Sequence, residues 1–197
     1  MAEAMARAGD RVVGIDASPK SIEVARDHAR QGGLEIDYQE GTAEALHFED
    51  EFDQVFAVDV LEHVEDVQQT VAACARALKT GGAFGFLTHN QTLEAFTFLI
   101  WQGEYQLDFI PKGNHDFHKF VSPGWLCGLL GQNGLQPKEV RDIRFTPEGE
   151  AVRIELTDGM SVSYPRSAVK EDETRTRRVP ENRFVKEPNS LLTNQGG

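Results

Sequence analysis

The sequence predicts an α/β fold, in which a doubly wound, mostly parallel sheet carries helices on its faces. Short runs rich in valine and isoleucine alternate with amphipathic helical segments over residues 1–90. Strands that alternate with helices in this way favour parallel pairing through right-handed crossovers. Polar residues follow three of the apolar runs, and ligands of such sheets bind outside the carboxyl ends of the strands. The pattern therefore indicates a nucleotide-like ligand.

The predicted elements have recognisable beginnings and ends. The sequence favours Ser18 as an N-cap, with Pro19 in the first turn of a helix that the glycine pair 32–33 ends. The segment 79–82, Lys-Thr-Gly-Gly, indicates a turn before the fourth strand. In chain order we predict a helix end at 2–8, a strand at 11–16, a helix at 17–30, strands at 34–40 and 52–60, a helix at 66–78 and a strand at 83–90.

The composition is that of an acidic chain with a modest core. Its 197 residues are 40% apolar and carry a net charge of −12, which disfavours nucleic acid as a partner. All of that charge lies in 1–140, so we expect a boundary near residue 140. The two cysteines lack metal-site spacing, no signal peptide is visible, and no stretch reaches the ~18 apolar residues of a membrane span. These features predict a cytoplasmic protein.

The stretch VDVLEHVED, 58–66, crowds acidic residues behind an apolar strand. Asp59, Glu62 and His63 stand at positions i, i+3 and i+4, which share one face of a helical turn. Two carboxylates and an imidazole suit a divalent cation with mixed oxygen and nitrogen preference. The residues alone leave another interpretation open, in which the two carboxylates favour a helix N-terminus and His63 packs on the sheet.

Two other strand ends carry candidate ligand contacts. Asp16 ends the first strand, where a carboxylate can accept both hydroxyls of a ribose or merely cap a turn. GTAEAL, 41–46, joins a tight turn to the small Ala43 and the acidic Glu44. A backbone amide of this segment can read the edge of an adenine, and an ordinary loop before a short helical turn explains the sequence equally well.

Four stretches follow one another in the order of the class I S-adenosylmethionine-dependent methyltransferases: VVGIDASPKSIEVARDHA, YQEGTAEAL, FDQVFAVDVLEHVED and LKTGGAFGFLTHN. The later segment PKGNHDFHKF, 111–120, is specific to one family within that class. Over about residues 1–143 the chain resembles the ubiquinone-biosynthesis O-methyltransferases, which methylate ring hydroxyls of polyprenylated quinone precursors. The resemblance implies a Rossmann-like methyltransferase domain at 1–143, with a substrate cap at about 91–120.

The resemblance also assigns ligand-binding residues, position by position. The residues expected to contact S-adenosylmethionine are Asp16 at the ribose, Ala43 at the adenine and Val58 through its backbone. The family's cation site, for an ion such as magnesium, corresponds to Asp59, Glu62 and His63. The family has Glu where this chain has Asp59, so the charge is kept while its reach is one methylene shorter. A divalent cation near a phenol lowers the pKa of its hydroxyl.

The implied reaction is an in-line methyl transfer from a sulfonium to an aryl oxygen, for which the protein aligns and deprotonates the acceptor. His63 is one candidate for this work. His115, Asp116 and His118 are candidates for a base or for orienting the substrate, although histidines in a polar loop are also typical of exposed surface.

The segment 93–110 is rich in aromatic residues and too polar to span a bilayer. We interpret it as a lid over the prenyl tail of a lipophilic quinone precursor, with peripheral contact at the inner face of a membrane as a further expectation. The alternative is a buried helix of the substrate cap. Acidic neighbours argue against strong attraction to anionic lipid.

Both ends of the chain depart from the family pattern. A class I methyltransferase needs a first strand and a Gly-rich loop before MAEAMARAGDRVVGID, and the sequence lacks both. We expect unpaired sheet edges and weak binding of S-adenosylmethionine, whether the start is truncated or misassigned or the chain is a degenerate relative. Within 144–197 we expect a β-hairpin, AVRIELTDGMSVSYP, around Asp158-Gly159, and then a disordered polar tail, 170–197.

Two rival functions stay open on the sequence. One is a methyltransferase for another small hydroxylated acceptor. The other is a non-catalytic partner that uses the fold to stabilise a biosynthetic complex. An upstream D-x-G-x-G-x-G-like strand and loop would favour an enzyme, and its absence from intact DNA would favour the non-catalytic partner.

Overall fold

The computed structural model of the chain describes residues 1–107, 110–140, 142–148, 151–157 and 162–172. The helices are α1 (Ala2–Arg7), α2 (Pro19–Gln31), α3 (Val67–Ala77), α4 (Leu93–Ala95) and α5 (Pro123–Gln132), with a π-helix (Phe96–Gln106) directly after α4 and 3₁₀ turns at Ala43–Ala45 and Phe117–Lys119. The strands are β1 (Val13–Asp16), β2 (Asp37–Glu40), β3 (Phe52–Val58), β4 (Leu78–His89), β5 (Leu135–Val140), β6 (Asp142–Glu148), β7 (Ala151–Thr157) and β8 (Ser163–Lys170).

The helix starts follow from local chemistry. Ser18 caps α2 by accepting a hydrogen bond from the backbone N–H of Ser21 at 3.2 Å, and Pro19 occupies the first turn, as predicted. At α3 the cap is Asp66, whose side chain accepts from the backbone N–H of Gln69 at 3.0 Å. The acidic stretch 58–66 therefore does contain a helix start, but Asp66 supplies it.

The strands form two sheets that no backbone pairing joins within the described residues. β1 and β2 pair in parallel, and so do β3 and β4. Beyond β4 the order is β8, β6 and β7, with β5 also beside β8, and these pairings are antiparallel. The α/β class is confirmed. Among the described residues, parallel pairing is limited to the first four strands, because too few residues separate β5, β6, β7 and β8 for the crossovers that parallel pairing needs.

The predicted hairpin around Asp158-Gly159 is wrong. β7 pairs with β6, while β8 lies between β4 and β6 and also pairs with β5. Tyr164 and Ala168 of β8 are fully buried in the main core, so apolar burial draws this strand into the sheet. β8 is thus part of the β3–β4 sheet, beyond the predicted boundary at residue 143. Residues 158–161 lie outside the described residues, as does the predicted tail 170–197 from residue 173 onward, whereas Lys170 at its start is the last residue of β8.

β4 begins at Leu78, earlier than predicted, and runs through the expected turn at 79–82. The pairing with β3 shifts register between Phe52 and Gln54, and Gly81 takes a positive φ of 83° within the same irregular stretch. A tight approach explains Gly82, since a Cβ there would lie 2.8 Å from the carbonyl oxygen of Lys79. The glycine pair thus produces an irregular entry into the strand.

The main hydrophobic core lies between the β3–β4–β8 sheet and the helices α3 and α5. Its fully buried members come from every one of these elements or their connections: Leu61, Val71, Leu78, Phe84, Leu130, Leu135, Tyr164 and Ala168. A second, smaller cluster joins Ala95, Leu99 and Ile100 to Phe120. This cluster packs α4 and the π-helix, which together we name the cap helix (93–106), onto the loop after it.

The cap helix is short and largely apolar. Its apolar residues divide between the small core cluster and exposed positions such as Trp101 and Tyr105. Among the described helices, none combines the length and the apolar character needed to cross a membrane.

Candidate active site

The turns that follow β1, β2 and β3 contact one another in sequence at one edge of the fold. The carbonyl oxygen of Asp16 accepts from the backbone N–H of Gly41 at 3.1 Å. Glu44 Oε1 in turn accepts from the backbone N–H groups of Glu65 at 2.9 Å and Asp66 at 3.4 Å. The three strand ends singled out in the sequence therefore form one continuous rim.

The three residues expected to contact the nucleoside occupy this rim. Asp16 is exposed at the end of β1, and its Oδ1 accepts from the backbone N–H of Ser18 at 2.8 Å, the turn interaction that the sequence left open. Ala43 begins the 3₁₀ turn after β2. Val58 is the last residue of β3, with 41% of its surface exposed. Ribose and adenine contacts at these positions stay predictions.

Asp59 stands at a strained corner directly after β3. Its φ is +51°, in the left-handed region that L-residues other than Asn and Asp seldom adopt. The chain then closes a single tight turn, in which the backbone N–H of His63 donates to the carbonyl oxygen of Val60 at 2.9 Å. Because α3 begins only after Asp66, neither Asp59 nor Glu62 stabilises a helix N-terminus. Strain of this kind is often kept where it aims a functional side chain.

Glu62 is a buried carboxylate with one oxygen unsatisfied. Only 2% of the residue is exposed. Thr88 Oγ1 donates to Oε2 at 2.8 Å, but Oε1 has no hydrogen-bond partner among the described residues. Burial raises the pKa of Glu62, and the nearby charge of Asp59 raises it further. Burial likewise raises the pKa of Asp59. A buried carboxylate oxygen without a hydrogen bond is open to a ligand.

His89, the last residue of β4, completes this group. Its Nε2 lies 3.3 Å from Glu62 Oε1, and its Nδ1 lies 2.8 Å from Ser163 Oγ. Burial lowers the pKa of His89 to about 4, so the ring is neutral at pH 7 and forms no ion pair with Glu62. His89 was not among the residues predicted for the site. It nevertheless carries the signal that selected the others, because it is a polar residue at the end of an apolar strand.

Asp59, Glu62 and His89 each offer a ligand atom, and these atoms lie within 4.8 Å of one another. Two carboxylates, a neutral imidazole and an unsatisfied Oε1 fit a divalent cation. The predicted third ligand, His63, is not in this group. Its ring is exposed, with its centroid 6.0 Å from that of His115.

Of the two loop histidines, the structure brings only His115 to the cluster. The ring centroid of His115 lies 5.1 Å from that of His89 and 6.0 Å from that of Phe120. His118 is exposed, and its ring contacts Phe117. The third candidate of this loop, Asp116, accepts from the backbone N–H of His118 at 2.9 Å and so starts the 3₁₀ turn 117–119.

Comparison with known proteins shows what the chain is similar to. A family model described as "Methyltransferase domain" matches residues 1–86. The chain is 41% identical over 171 residues to a protein of Dinoroseobacter shibae named ubiquinone biosynthesis O-methyltransferase, covering 86% of this chain and 68% of that protein. A protein of the same name from Ralstonia nicotianae is 39% identical over 166 residues, with 83% and 69% covered.

Solved structures give the same fold. A SAM-dependent methyltransferase from Methanosarcina mazei superposes with a TM-score of 0.63 at 19% identity, covering 88% of each chain. The magnesium protoporphyrin IX methyltransferase from Synechocystis, solved with bound SAH, gives a TM-score of 0.61 at 18% identity, with 86% of this chain and 68% of that chain covered. At these identities the likeness concerns the fold alone.

Proposed function

The chain belongs to the ubiquinone biosynthesis O-methyltransferase family, and on that premise we propose that its strand-end rim and buried polar cluster methylate a ring hydroxyl of a polyprenylated ubiquinone precursor. The protein is a methyltransferase that depends on S-adenosylmethionine. The proposal rests chiefly on one observation, namely that Asp59, Glu62, His89 and His115 gather directly beside the end of β3.

The rim residues bind and orient the nucleoside part of S-adenosylmethionine. Asp16 holds the ribose hydroxyls through its carboxylate, Ala43 leaves room for the adenine edge, and the backbone of Val58 borders the same ligand. When bound, S-adenosylmethionine supplies an electrophilic methyl group on a sulfonium. The protein contributes alignment of that methyl group with the acceptor oxygen.

On the acceptor side, three residues would hold a divalent cation, namely Asp59, Glu62 and His89. Such an ion favours the phenolate form of a neighbouring ring hydroxyl near neutral pH. Ser163 orients the His89 ring from its far nitrogen, and Thr88 fixes the second oxygen of Glu62. His115 stands beside this group and accepts the proton of the hydroxyl.

The cap helix covers the lipophilic part of the acceptor. Trp101 and Tyr105 are 49% and 59% exposed, and Leu107, directly after the helix, is 66% exposed. Aromatic and aliphatic side chains displayed together suit a prenyl tail, or the membrane surface from which such a substrate is taken.

The test is methyl transfer from radiolabelled S-adenosylmethionine at saturating concentration to a prenylated and an unprenylated catechol. We expect transfer to the prenylated acceptor, and a fall in kcat of ~10²-fold in Glu62→Gln. The matched control is Glu65→Gln, which changes an exposed carboxylate three residues away. Equal turnover by Glu62→Gln and wild type, or transfer to the unprenylated acceptor alone, would refute the proposal.

A further inference from the structure

Glu104 is a buried acid near the C-terminal end of the cap helix. The residue is 0% exposed and stands in the π-helix, whose other residues carry no charge. A carboxylate is expensive to bury without strong partners. The structure supplies them from the loop that follows, because Glu104 Oε2 accepts from the backbone N–H of Gly113 at 2.7 Å and Oε1 accepts from that of His115 at 2.9 Å.

A third contact of Glu104 reaches an imidazole. Nδ1 of His115 lies 3.0 Å from Glu104 Oε1, and the side chains of both residues are almost wholly buried, with 7% and 1% exposed. The two backbone bonds suffice to fasten the loop to the helix. The contact with Nδ1 does something else, since it fixes the rotation of the ring and the nitrogen that carries the proton.

We propose that Glu104 is a positioning residue, which holds His115 as the Nδ1–H tautomer and so makes Nε2, which the Asn114 Nδ2 amide approaches at 3.5 Å, the nitrogen that accepts the acceptor's proton once that long contact is exchanged. The proposal rests on the proposed role of His115. An ionised carboxylate has only acceptor oxygens, so the nitrogen that faces it must be the donor. The other nitrogen of a neutral ring is then an acceptor, as a general base requires.

The charge state of Glu104 supports this assignment. Burial opposes ionisation, but the N–H groups of Gly113 and His115 and the His115 ring together hold the pKa of Glu104 below its ordinary value. The carboxylate is therefore ionised at neutral pH. The ring that it orients lies beside the His89 and His63 rings, on the side of the candidate site.

The direct test is the tautomer of His115 at one fixed, neutral pH, measured by two-dimensional NMR of the full chain labelled with ¹⁵N-histidine and assigned with His115→Gln. The expected result is the Nδ1–H form. A ring in the Nε2–H form overturns the proposal. This measurement needs no turnover, so it decides the role of Glu104 even if the proposed methyl transfer fails.

The matched variants are Glu104→Gln and Glu94→Gln, the second of which changes an exposed carboxylate of the same helix. The glutamine amide at 104 carries no charge, and only its carbonyl oxygen can accept from both the backbone N–H and the Nδ1–H of His115, so we expect the fraction of the Nδ1–H tautomer to fall. We then expect kcat to fall by ~10²-fold while the KM for S-adenosylmethionine stays within about twofold. Glu94→Gln should change neither. A Glu104→Gln variant that is folded by circular dichroism but keeps both the wild-type tautomer and kcat contradicts the proposal.

Discussion

The two sheets of the molecule differ sharply in how well they are packed. In the unit that contains β1, α2 and β2, the buried apolar residues are Val12, Ile22 and Ala29. The unit of β3, β4, β8, α3 and α5 has a contiguous core with many residues that are fully excluded from solvent. The residues proposed to bind the nucleoside lie largely on the first unit, whereas the proposed acceptor chemistry lies on the second. The well-packed unit therefore carries the side chains whose mutual distances matter most for the proposed methyl transfer.

The difference in packing should have its largest effect on how often each sheet opens locally to solvent. Backbone amides in β4, which is paired on both sides, should exchange hydrogen for deuterium ~10³-fold more slowly than those in β1, because β1 is paired only with β2. Hydrogen-exchange mass spectrometry or NMR at neutral pH measures the ratio. Equal protection of the two strands would show that the units open together, and would remove the basis of the comparison.

Truncation of a buried side chain should lower the free energy of unfolding by different amounts in the two units. Phe84 is completely buried in the main core, so Phe84→Ala should lower the free energy of unfolding by about 3–5 kcal/mol. Ile22 has few buried neighbours, and Ile22→Ala should cost no more than about 2 kcal/mol. Urea unfolding followed by circular dichroism provides both values. A larger loss for Ile22→Ala would reverse the assignment of the stable unit.

Removal of a single imidazole distinguishes the cation ligands. His89→Ala should weaken binding of Mg²⁺ or Mn²⁺ by ~10–100-fold, since it removes a nitrogen within 4.8 Å of the two carboxylates. His63→Ala should change the affinity by less than about twofold, because that ring lies outside the group. Isothermal titration of the two variants is the measurement. The opposite ranking would restore the cation site that the sequence suggested.

The smallest effect concerns the two helix caps. Asp66→Ala removes the cap of α3 and should lower the global free energy of unfolding by ~1 kcal/mol, since α3 packs on the main core. Ser18→Ala removes the equivalent cap of α2, and its cost should be seen mainly as faster amide exchange within α2. If thermal melting shifts equally for both variants, α2 contributes to global stability as much as α3 does.

Much of this molecule could be predicted from local pattern. The apolar runs and turn residues predicted the α/β class and most of the first four strands, and Ser18 was correctly identified as a cap. The position of β8 could not be predicted in this way. Its partners are set by burial of Tyr164 and Ala168 against residues distant in sequence, whereas Asp158-Gly159 is only a local turn signal.

The residues of the candidate site also differ in whether local sequence or long-range pairing brings them together. Asp59 and Glu62 were visible because they stand together in the sequence, and the structure keeps them together. His89 joins them only through the parallel register of β3 with β4, a long-range pairing. Glu104 was counted merely as a polar residue of the cap, because nothing in the sequence reveals that a helix position is wholly buried.

The carboxylate of Glu44 connects the 3₁₀ turn after β2 to the residues just before α3. It thereby couples the weakly packed half to the rigid one, together with the Gln69 and Arg76 side chains, which donate to the carbonyl oxygens of Glu44 and Leu46. If a nucleoside immobilises the turn and thereby restrains Glu65 and Asp66, occupancy of the proposed acceptor site tightens nucleoside binding by the same factor, by thermodynamic reciprocity. Glu44→Ala should therefore reduce the effect of one ligand on the affinity of the other by the share that this carboxylate carries.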